Sequence, residues 1–281
     1  MVKIGRRSFI KMGAGIAGGS MLSVALVTEA AIAERDVPQP DHHLRDAVEE
    51  SPIITAKPAP DQILTTEQTI ILTTVIRRLK KLRRLVGNAN FSLLSIDESL
   101  LYARNYSKVG KFSKAEMAFL EQIFYEQADQ YGFLGDKPMK SITAKVPRRE
   151  VIKVRHTGNY LFRGAPLERY KQIKKDVGSE VILTSGVRGM VKQFLLFLDK
   201  VRVSKGNLSL ASRSLAPPGY SFHGVSDFDV GQKRFGYANF TERFITTTVF
   251  KRLEKFGYAT LRYPRDNQLG VRFEPWHIKV T

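Results

Sequence analysis

The chain contains no cysteine among its 281 residues. This absence excludes disulfide bonds, thiolate nucleophiles and cysteine-ligated zinc or iron–sulfur sites, so any metal would be bound by histidine and carboxylate side chains. Histidine is itself scarce, with five residues, and acidic residues are outnumbered, 27 against 45 Lys and Arg, which gives a formal net charge of +18. Few histidines are therefore available as ligands, and such a basic chain is expected to meet anionic partners.

The remaining composition is that of a globular protein. Hydrophobic residues make up 43% of the chain, enough to build a core, and the length allows one large domain or two ordinary ones.

The N-terminal residues are typical of an export signal. The sequence "GRRSFIK" is followed by a short Gly- and Ala-rich apolar run and then by "AIA" at residues 31–33. This pattern resembles a twin-arginine signal peptide over residues 1–33, which directs a folded protein out of the bacterial cytoplasm. The alternatives are a chance arginine pair and an uncleaved signal that acts as a membrane anchor. Because an exported protein meets little nucleic acid, the sequence predicts anionic envelope partners and a periplasmic or cell-envelope location.

Residues 34–61 contain five prolines and no apolar periodicity. They are predicted to form an extended linker. His42 and His43 lie in this linker and are interpreted as solvated side chains.

Residues 62–145 are predicted to form a small all-helical domain. In its first helix one apolar face is formed by Ile71, Val75, Leu79, Leu82 and Val86. The segment "RRLKKLRR" at residues 77–84 places six basic residues on the other faces, from Arg77 to Arg84. Such a helix can lie on an anionic membrane surface or glycan, or it can pack its apolar face on the core.

Residues 146–281 mix short β-rich runs with helical stretches. Strands are predicted in "VIKVRH", "EVILTSG", "TLRYP" and "VRFEPWHIKV", and helices at residues 165–178, 187–201 and 239–259. Because the order shows no regular βαβ repeat, we expect an α+β fold with a small, largely antiparallel sheet and flanking helices.

Two segments of this second part concentrate histidine and carboxylate side chains, "YSFHGVSDFDVG" and "FEPWH". A zinc hydrolase needs three N or O ligands, an open position for water, and a carboxylate that accepts a proton. The two segments supply His223, Asp227, Asp229, Glu274 and His277. His156, elsewhere in this part, has no such neighbours and is interpreted as a non-ligand.

Four segments carry a resemblance to a known family: "LTSGVRGMVKQ", "APPGYSFHGVSDFDVG", "FGYATLRYPRD" and "FEPWHIKV". Their order and spacing resemble those of the VanY-like D-alanyl-D-alanine carboxypeptidases, zinc peptidases that trim peptidoglycan stem peptides. The resemblance covers about residues 150–281 and does not extend to the helical part.

The resemblance implies that His223 and His277 bind one zinc ion and that Glu274 is the catalytic base. The family usually separates its first histidine from the ligand aspartate by six residues, whereas five separate His223 from Asp229 and three separate it from Asp227. Asp229 is the predicted ligand, and Asp227 stays the alternative. In a straight strand Glu274 and His277 would point to opposite faces, so a kink at the intervening proline is expected.

The resemblance further implies substrate-side roles. Arg188 corresponds to a family arginine and is predicted to stabilise an oxyanion or to hold a substrate carboxylate. Ser221 and Gln193 are predicted to contact substrate. Gly189 replaces the usual serine and Val187 the usual tyrosine, which changes the contacts expected from this loop.

The predicted function is that of an exported zinc D-alanyl-D-alanine carboxypeptidase acting on peptidoglycan stem peptides. Two alternatives stay open: an endopeptidase of the same family that cleaves crosslinks, and a cell-wall-binding protein with weak catalysis.

Overall fold

The computed structural model describes residues 60–281. The predicted signal peptide, all but the last two residues of the predicted linker, and His42 and His43 lie outside the described residues. Within this described part, none of the helices combines the length and the apolar character that crossing a membrane requires.

The first part is helical, as predicted. Its helices are α1 (Thr66–Val86), the single turn α2 (Asn88–Phe91), α3 (Ile96–Asn105) and α4 (Lys114–Tyr125). The three longer helices each begin at a capping box, in which a Thr or Ser side chain accepts from a backbone N–H three residues on and a Gln or Glu side chain reaches back. In the box at Ser113 and Glu116 the two hydrogen bonds are 2.7 and 3.1 Å long.

Helix α1 packs its apolar face into the core. Val75, Leu79 and Leu82 are at most 1% exposed. Two of its basic residues form ion pairs, Arg78 with Glu116 at 3.1 Å and Lys80 with Asp199 at 2.8 Å. The apolar face is therefore not available for insertion into a membrane.

The second part contains five strands and four helices among the described residues. The strands are β1 (Val151–Lys153), β2 (Tyr160–Phe162), β3 (Val181–Ser185), β4 (Phe228–Gln232) and β5 (His277–Ile278). The helices are α5 (Ala165–Val177), α6 (Met190–Val203), α7 (Leu208–Ser212) and α8 (Thr248–Lys255), with 3-10 turns at Arg148–Glu150, Phe222–Gly224, Gly236–Phe240 and Glu242–Thr246. All strand pairs are antiparallel, β1 with β2 and β3–β4–β5 in that order. The predicted α+β fold with small antiparallel sheets is confirmed.

Several predicted strands are shorter than expected. The first stops at Lys153 because the chain turns back, with the Val154 N–H donating to Asn159 O at 2.9 Å. The predicted strand at 260–264 contributes one bridge, between Leu261 and Ile278. The final strand is two residues long, since proline removes a backbone donor at position 275.

The long helix predicted over residues 239–259 is also wrong in extent. Only Thr248–Lys255 is α-helical, and the preceding residues form two 3-10 turns. Thr247 starts α8 because its side chain accepts from the Phe250 N–H at 3.0 Å. A threonine in a capping conformation therefore divides an apolar pattern that reads as continuous in the sequence.

One apolar core joins the two parts of the chain. Phe194, Leu198 and Val201 on α6 belong to the same buried cluster as Leu79 and Leu120 of the helical part. A second cluster lies under the three-stranded sheet and includes Trp276. The boundary predicted between residues 145 and 146 stays a prediction, and the helical part packs directly on the helix that follows the Arg188 loop.

Candidate metal centre

The three-stranded sheet places polar side chains from different strands in one row. Ser185 of β3 pairs with Asp229 of β4, and Asp229 pairs in turn with His277 of β5. Residues directly opposite each other in antiparallel strands point to the same face and lie within side-chain contact. The row is buried, with each of the three residues at most 5% exposed.

His223 reaches this row from the 3-10 turn Phe222–Gly224, which precedes β4. One ring nitrogen, Nδ1, lies 2.9 Å from Gly186 O, and the other, Nε2, lies 3.1 Å from Asp229 Oδ1. With Nδ1–H donating to the carbonyl, Nε2 presents its lone pair to the carboxylate side. The turn and the backbone after β3 thus fix the tautomer and direction that a ligand histidine needs.

His223, Asp229 and His277 form a group that can hold a metal ion. Their ligating atoms all lie within 4.8 Å of one another. Ligands placed tetrahedrally about 2.0–2.2 Å from zinc lie roughly 3.3 Å apart. Asp229 Oδ1 lies 3.1 Å from His223 Nε2 and 3.4 Å from His277 Nδ1. The donor set and these two distances from Asp229 therefore fit zinc.

Glu274 lies beside this group on a turn rather than a strand. The His277 N–H donates to Glu274 O at 3.1 Å across Pro275 and Trp276, and the Glu274 N–H donates to Tyr263 O at 3.0 Å. Glu274 Oε2 lies 3.4 Å from His277 Nδ1. The kink expected at Pro275 is confirmed, and it brings both side chains to the same place.

Asp227 lies behind His277. Its Oδ2 atom is 3.0 Å from His277 Nε2 and accepts from Arg262 Nε at 2.7 Å, while Oδ1 accepts from the Val280 N–H at 3.0 Å and from Ser226 Oγ at 3.1 Å. These donors occupy the carboxylate, which is fully buried. This arrangement favours Asp229 over Asp227 as the ligand and gives Asp227 the position of a group that orients a ligand histidine.

Arg188 contacts the other side of the ligand group. Its Nη2 forms an ion pair with Asp229 Oδ2, and its Nε donates to Ser185 Oγ at 3.0 Å. The side chain is 15% exposed, more than Glu274 at 11% or any of the three predicted ligands. Its Nη1 makes no hydrogen bond with the described residues.

The charges of the site are strongly coupled. Burial lowers the pKa of His223 to about 4, assisted by the Arg188 guanidinium. Burial alone would raise the pKa of Asp229, but the charges of His223 and Arg188 outweigh it and hold that pKa well below its usual range. For His277, hydrogen bonds to Asp227 and Glu274 outweigh burial and raise its pKa to about 9. Asp229 is therefore ionised and His223 neutral at neutral pH, the forms that bind metal, whereas His277 carries a proton that a metal would displace.

Ser221, Gln193 and His156 lie in different surroundings. Ser221 is buried immediately before the His223 turn, and its carbonyl accepts from the Gly224 N–H at 3.0 Å. Gln193 is 3% exposed, its Nε2 donates to Arg188 O at 2.8 Å, and its Oε1 accepts from the Gly219 N–H at 2.9 Å. Gln193 thus connects the backbone at Arg188 with the backbone at Gly219, and its contact with substrate stays a prediction. His156 is exposed on a turn and is not in the ligand group.

Sequence reasoning assigned no role to Arg262, Tyr263 or Lys192. Arg262 holds Asp227, and the ring of Tyr263 packs on that of His277 with centroids 5.2 Å apart. Lys192 is buried, and its Nζ donates to Ser92 Oγ of the helical part at 3.1 Å. All three lie inside the segments that carried the family resemblance, "LRYP" and "GMVKQ". The sequence feature that could have pointed to them is a charged or hydroxyl-bearing side chain beside apolar neighbours.

Comparison with protein families agrees with the resemblance drawn from the motifs. Residues 165–280 match the family model VanY, described as D-alanyl-D-alanine carboxypeptidase. The match includes all three predicted ligands, Glu274 and Arg188. The comparison with curated protein sequences found no match.

Three solved structures are similar to parts of the chain. They are the LdcB LD-carboxypeptidase (21% identity, TM-score 0.37, 52% of this chain and 66% of that chain), the vancomycin resistance D,D-pentapeptidase VanY from a VanB-type resistance cassette in complex with Zn(II) (24%, 0.36, 47% and 78%), and the vancomycin resistance D,D-dipeptidase VanXYg in complex with a D-Ala-D-Ala phosphinate analog (18%, 0.43, 57% and 64%). The chain thus spans 66% of the length of LdcB.

Proposed function

We propose that this protein is a zinc-dependent peptidoglycan peptidase, and that it acts as a D-alanyl-D-alanine carboxypeptidase on stem peptides. The observation that carries the proposal is the buried group of His223, Asp229 and His277 with the Glu274 carboxylate 3.4 Å from His277 Nδ1. The match of residues 165–280 to the VanY family model supports the substrate class.

His223 Nε2, Asp229 Oδ1 and His277 Nδ1 would hold the zinc ion. When bound, zinc supplies a Lewis acid that lowers the pKa of water and polarises an amide carbonyl. Asp229 and His223 already carry their ligand protonation states at neutral pH, and zinc binding would release one proton, from His277.

Glu274 is the proposed general base. Its carboxylate lies next to the ligand group and is not one of the three predicted ligands, so it can accept a proton from the attacking water and pass it to the departing amine. The turn through Pro275 fixes its backbone relative to His277 by the 3.1 Å hydrogen bond. The position of the base is therefore tied to the position of a ligand.

Arg188 is proposed to interact with substrate through the part of its guanidinium that Asp229 and Ser185 do not occupy. A fixed cation beside the ligand group can stabilise a developing oxyanion or bind the terminal carboxylate of a peptide. A carboxypeptidase requires recognition of that carboxylate, which an endopeptidase does not, so the role of Arg188 separates the two activities.

We also propose an exported, cell-envelope location, which rests on the N-terminal twin-arginine pattern. Anionic envelope material is the proposed partner of the exposed basic residues of α1, which are Arg77, Lys81 and Arg84. These side chains are spaced by four and three residues and so share one face of the helix. Nucleic acid is not a proposed partner.

Mass spectrometry of isolated wall peptides tests the proposal. The zinc-loaded chain is expected to remove one terminal alanine from pentapeptides, and Glu274→Ala is expected to lower this rate by about 10²–10⁴-fold. Glu254→Ala, an exposed glutamate on α8, is the matched control and should retain the wild-type rate. Loss of crosslinked dimers instead would identify an endopeptidase, and digests identical to buffer would favour a wall-binding protein.

A further inference from the structure

The loop that carries Arg188 is covered by one short part of the helical region, residues 88–94, here called the 88–94 turn. The Gly189 N–H donates to Ser92 O at 2.7 Å. On the other side of Arg188, Val187 is 1% exposed and shares a small apolar cluster with Leu93. The 88–94 turn thus binds the backbone after Arg188 and shares an apolar cluster with Val187 before it, whose own N–H donates to Tyr160 O at 2.8 Å.

A third contact extends this docking to α6. Lys192, in the first turn of that helix, donates from Nζ to Ser92 Oγ at 3.1 Å, and both residues are buried. Arg188 itself is held within the catalytic part, where its N–H donates to His223 O at 3.0 Å and its carbonyl accepts from Gln193 Nε2 at 2.8 Å. The 88–94 turn therefore closes over a loop whose inner side faces the ligand group.

This docking explains the two places where the loop departs from the family pattern. A Cβ atom at Gly189 would lie 2.9 Å from Ser92 O, so the serine usual in the family would collide with the 88–94 turn. At position 187 the usual tyrosine is replaced by valine, which is enclosed by Leu93, Val146 and Val151. Both departures are at the surface where the helical part packs.

We propose that the 88–94 turn is a positioning element for Arg188, with Ser92 and Leu93 as its positioning residues. It binds the backbone after the arginine and packs in one apolar cluster with the residue before it, and through this loop it positions the guanidinium that pairs with Asp229. Since a displacement of about 1 Å at a catalytic group can lower a rate about 10²-fold, a helical part without catalytic side chains can still control the reaction. The inference rests on the proposed function for its effect on catalysis.

A double-mutant cycle tests this coupling. Arg188→Ala is expected to lower kcat by about 10²–10³-fold. Leu93→Ala is expected to lower kcat by roughly 10-fold or more in the wild-type background. It should have almost no effect on kcat in the Arg188→Ala background, because the side chain that Leu93 helps to position is then already absent. Leu120→Ala is the matched control, since Leu120 is also buried in the helical part but belongs to a different apolar cluster from Leu93.

The control must leave kcat unchanged at a temperature where circular dichroism shows that both variants are folded. The positioning role is refuted if Leu93→Ala lowers kcat by the same factor in both backgrounds, or if it leaves kcat at the wild-type value.

Hydrogen exchange of the metal-free chain provides a readout that does not depend on activity. Leu93→Ala should speed exchange of the amides at residues 186–189, which include the Gly189 N–H, and Leu120→Ala should not. Equal exchange in the two variants would overturn the proposal. If the wild-type chain hydrolyses no wall peptide, the proposed function fails, and the exchange result still decides whether the 88–94 turn fixes this loop.

Discussion

Replacing the buried lysine at position 192 by methionine should make the stability of the protein respond differently to pH. Burial, with a smaller contribution from the Arg188 guanidinium, lowers the pKa of Lys192 from its ordinary 10.5 to about 7. Methionine has a similar unbranched length and no charge. Ser92 Oγ, which loses the lysine donor, keeps its own hydrogen bond to Asn88 O at 3.3 Å.

The size of the effect follows from the pKa. The unfolded chain binds the lysine proton up to about pH 10.5 and the folded chain only up to about pH 7. Between these values the unfolded state holds more protons, so the free energy of unfolding of the wild type rises with pH. Below pH 7 the lysine is charged in both the folded and the unfolded state, so the folded protein bears the full free-energy cost of burying that charge. That cost is on the order of 5 kcal/mol, since each pKa unit corresponds to about 1.4 kcal/mol.

Urea unfolding of Lys192→Met and of the wild type at pH 6 and pH 9.5 measures this effect. The difference in free energy of unfolding, variant minus wild type, is expected to fall by about 3 kcal/mol from the lower to the higher pH. Lys171→Met, a change at an exposed lysine of α5, should give the same difference at both values. A difference for Lys192→Met that does not change with pH would refute the assignment of a buried, destabilised charge.

Two further predictions concern the ligand group and the basic face of α1. Asp227→Asn should weaken zinc binding by about 10–100-fold in competition with a chromophoric chelator, because it disturbs the group that orients His277. Asp176→Asn, on α5 and outside the ligand group, should not change the affinity. Loss of zinc from Asp227→Asn but not from Asp229→Asn would show that Asp227 is the ligand. Retention of the protein on anionic wall material should fall with salt, and it should also fall when the three exposed basic residues of α1 are changed together, as Arg77→Gln, Lys81→Gln and Arg84→Gln. The same number of changes on α5 and α8, namely Lys171→Gln, Lys175→Gln and Lys251→Gln, should leave retention unchanged.

The helices were predictable because their signals are local. The capping box at Ser113 and the stop at Gly178 are readable within four residues, and the structure places both helix ends there. The strands were less predictable, because a short strand forms only where another part of the chain pairs with it. The run at 271–280 has the composition of a strand, but only His277–Ile278 finds a partner in β4.

The sequence by itself determined the inventory of the candidate site. The absence of cysteine limits metal ligands to histidine and carboxylate, and two segments supply His223, His277 and the nearby acids, with the motifs pointing to a peptidase family. Only the tertiary structure decided what each acid contacts. Asp227 and Asp229 have the same strand parity, so periodicity cannot separate them, whereas cross-strand pairing puts Asp229 between the two histidines and Arg262 draws Asp227 behind His277. The contact between the 88–94 turn and the Arg188 loop was equally beyond the sequence, because about a hundred residues separate the two surfaces, and their complementarity exists only after the chain has folded.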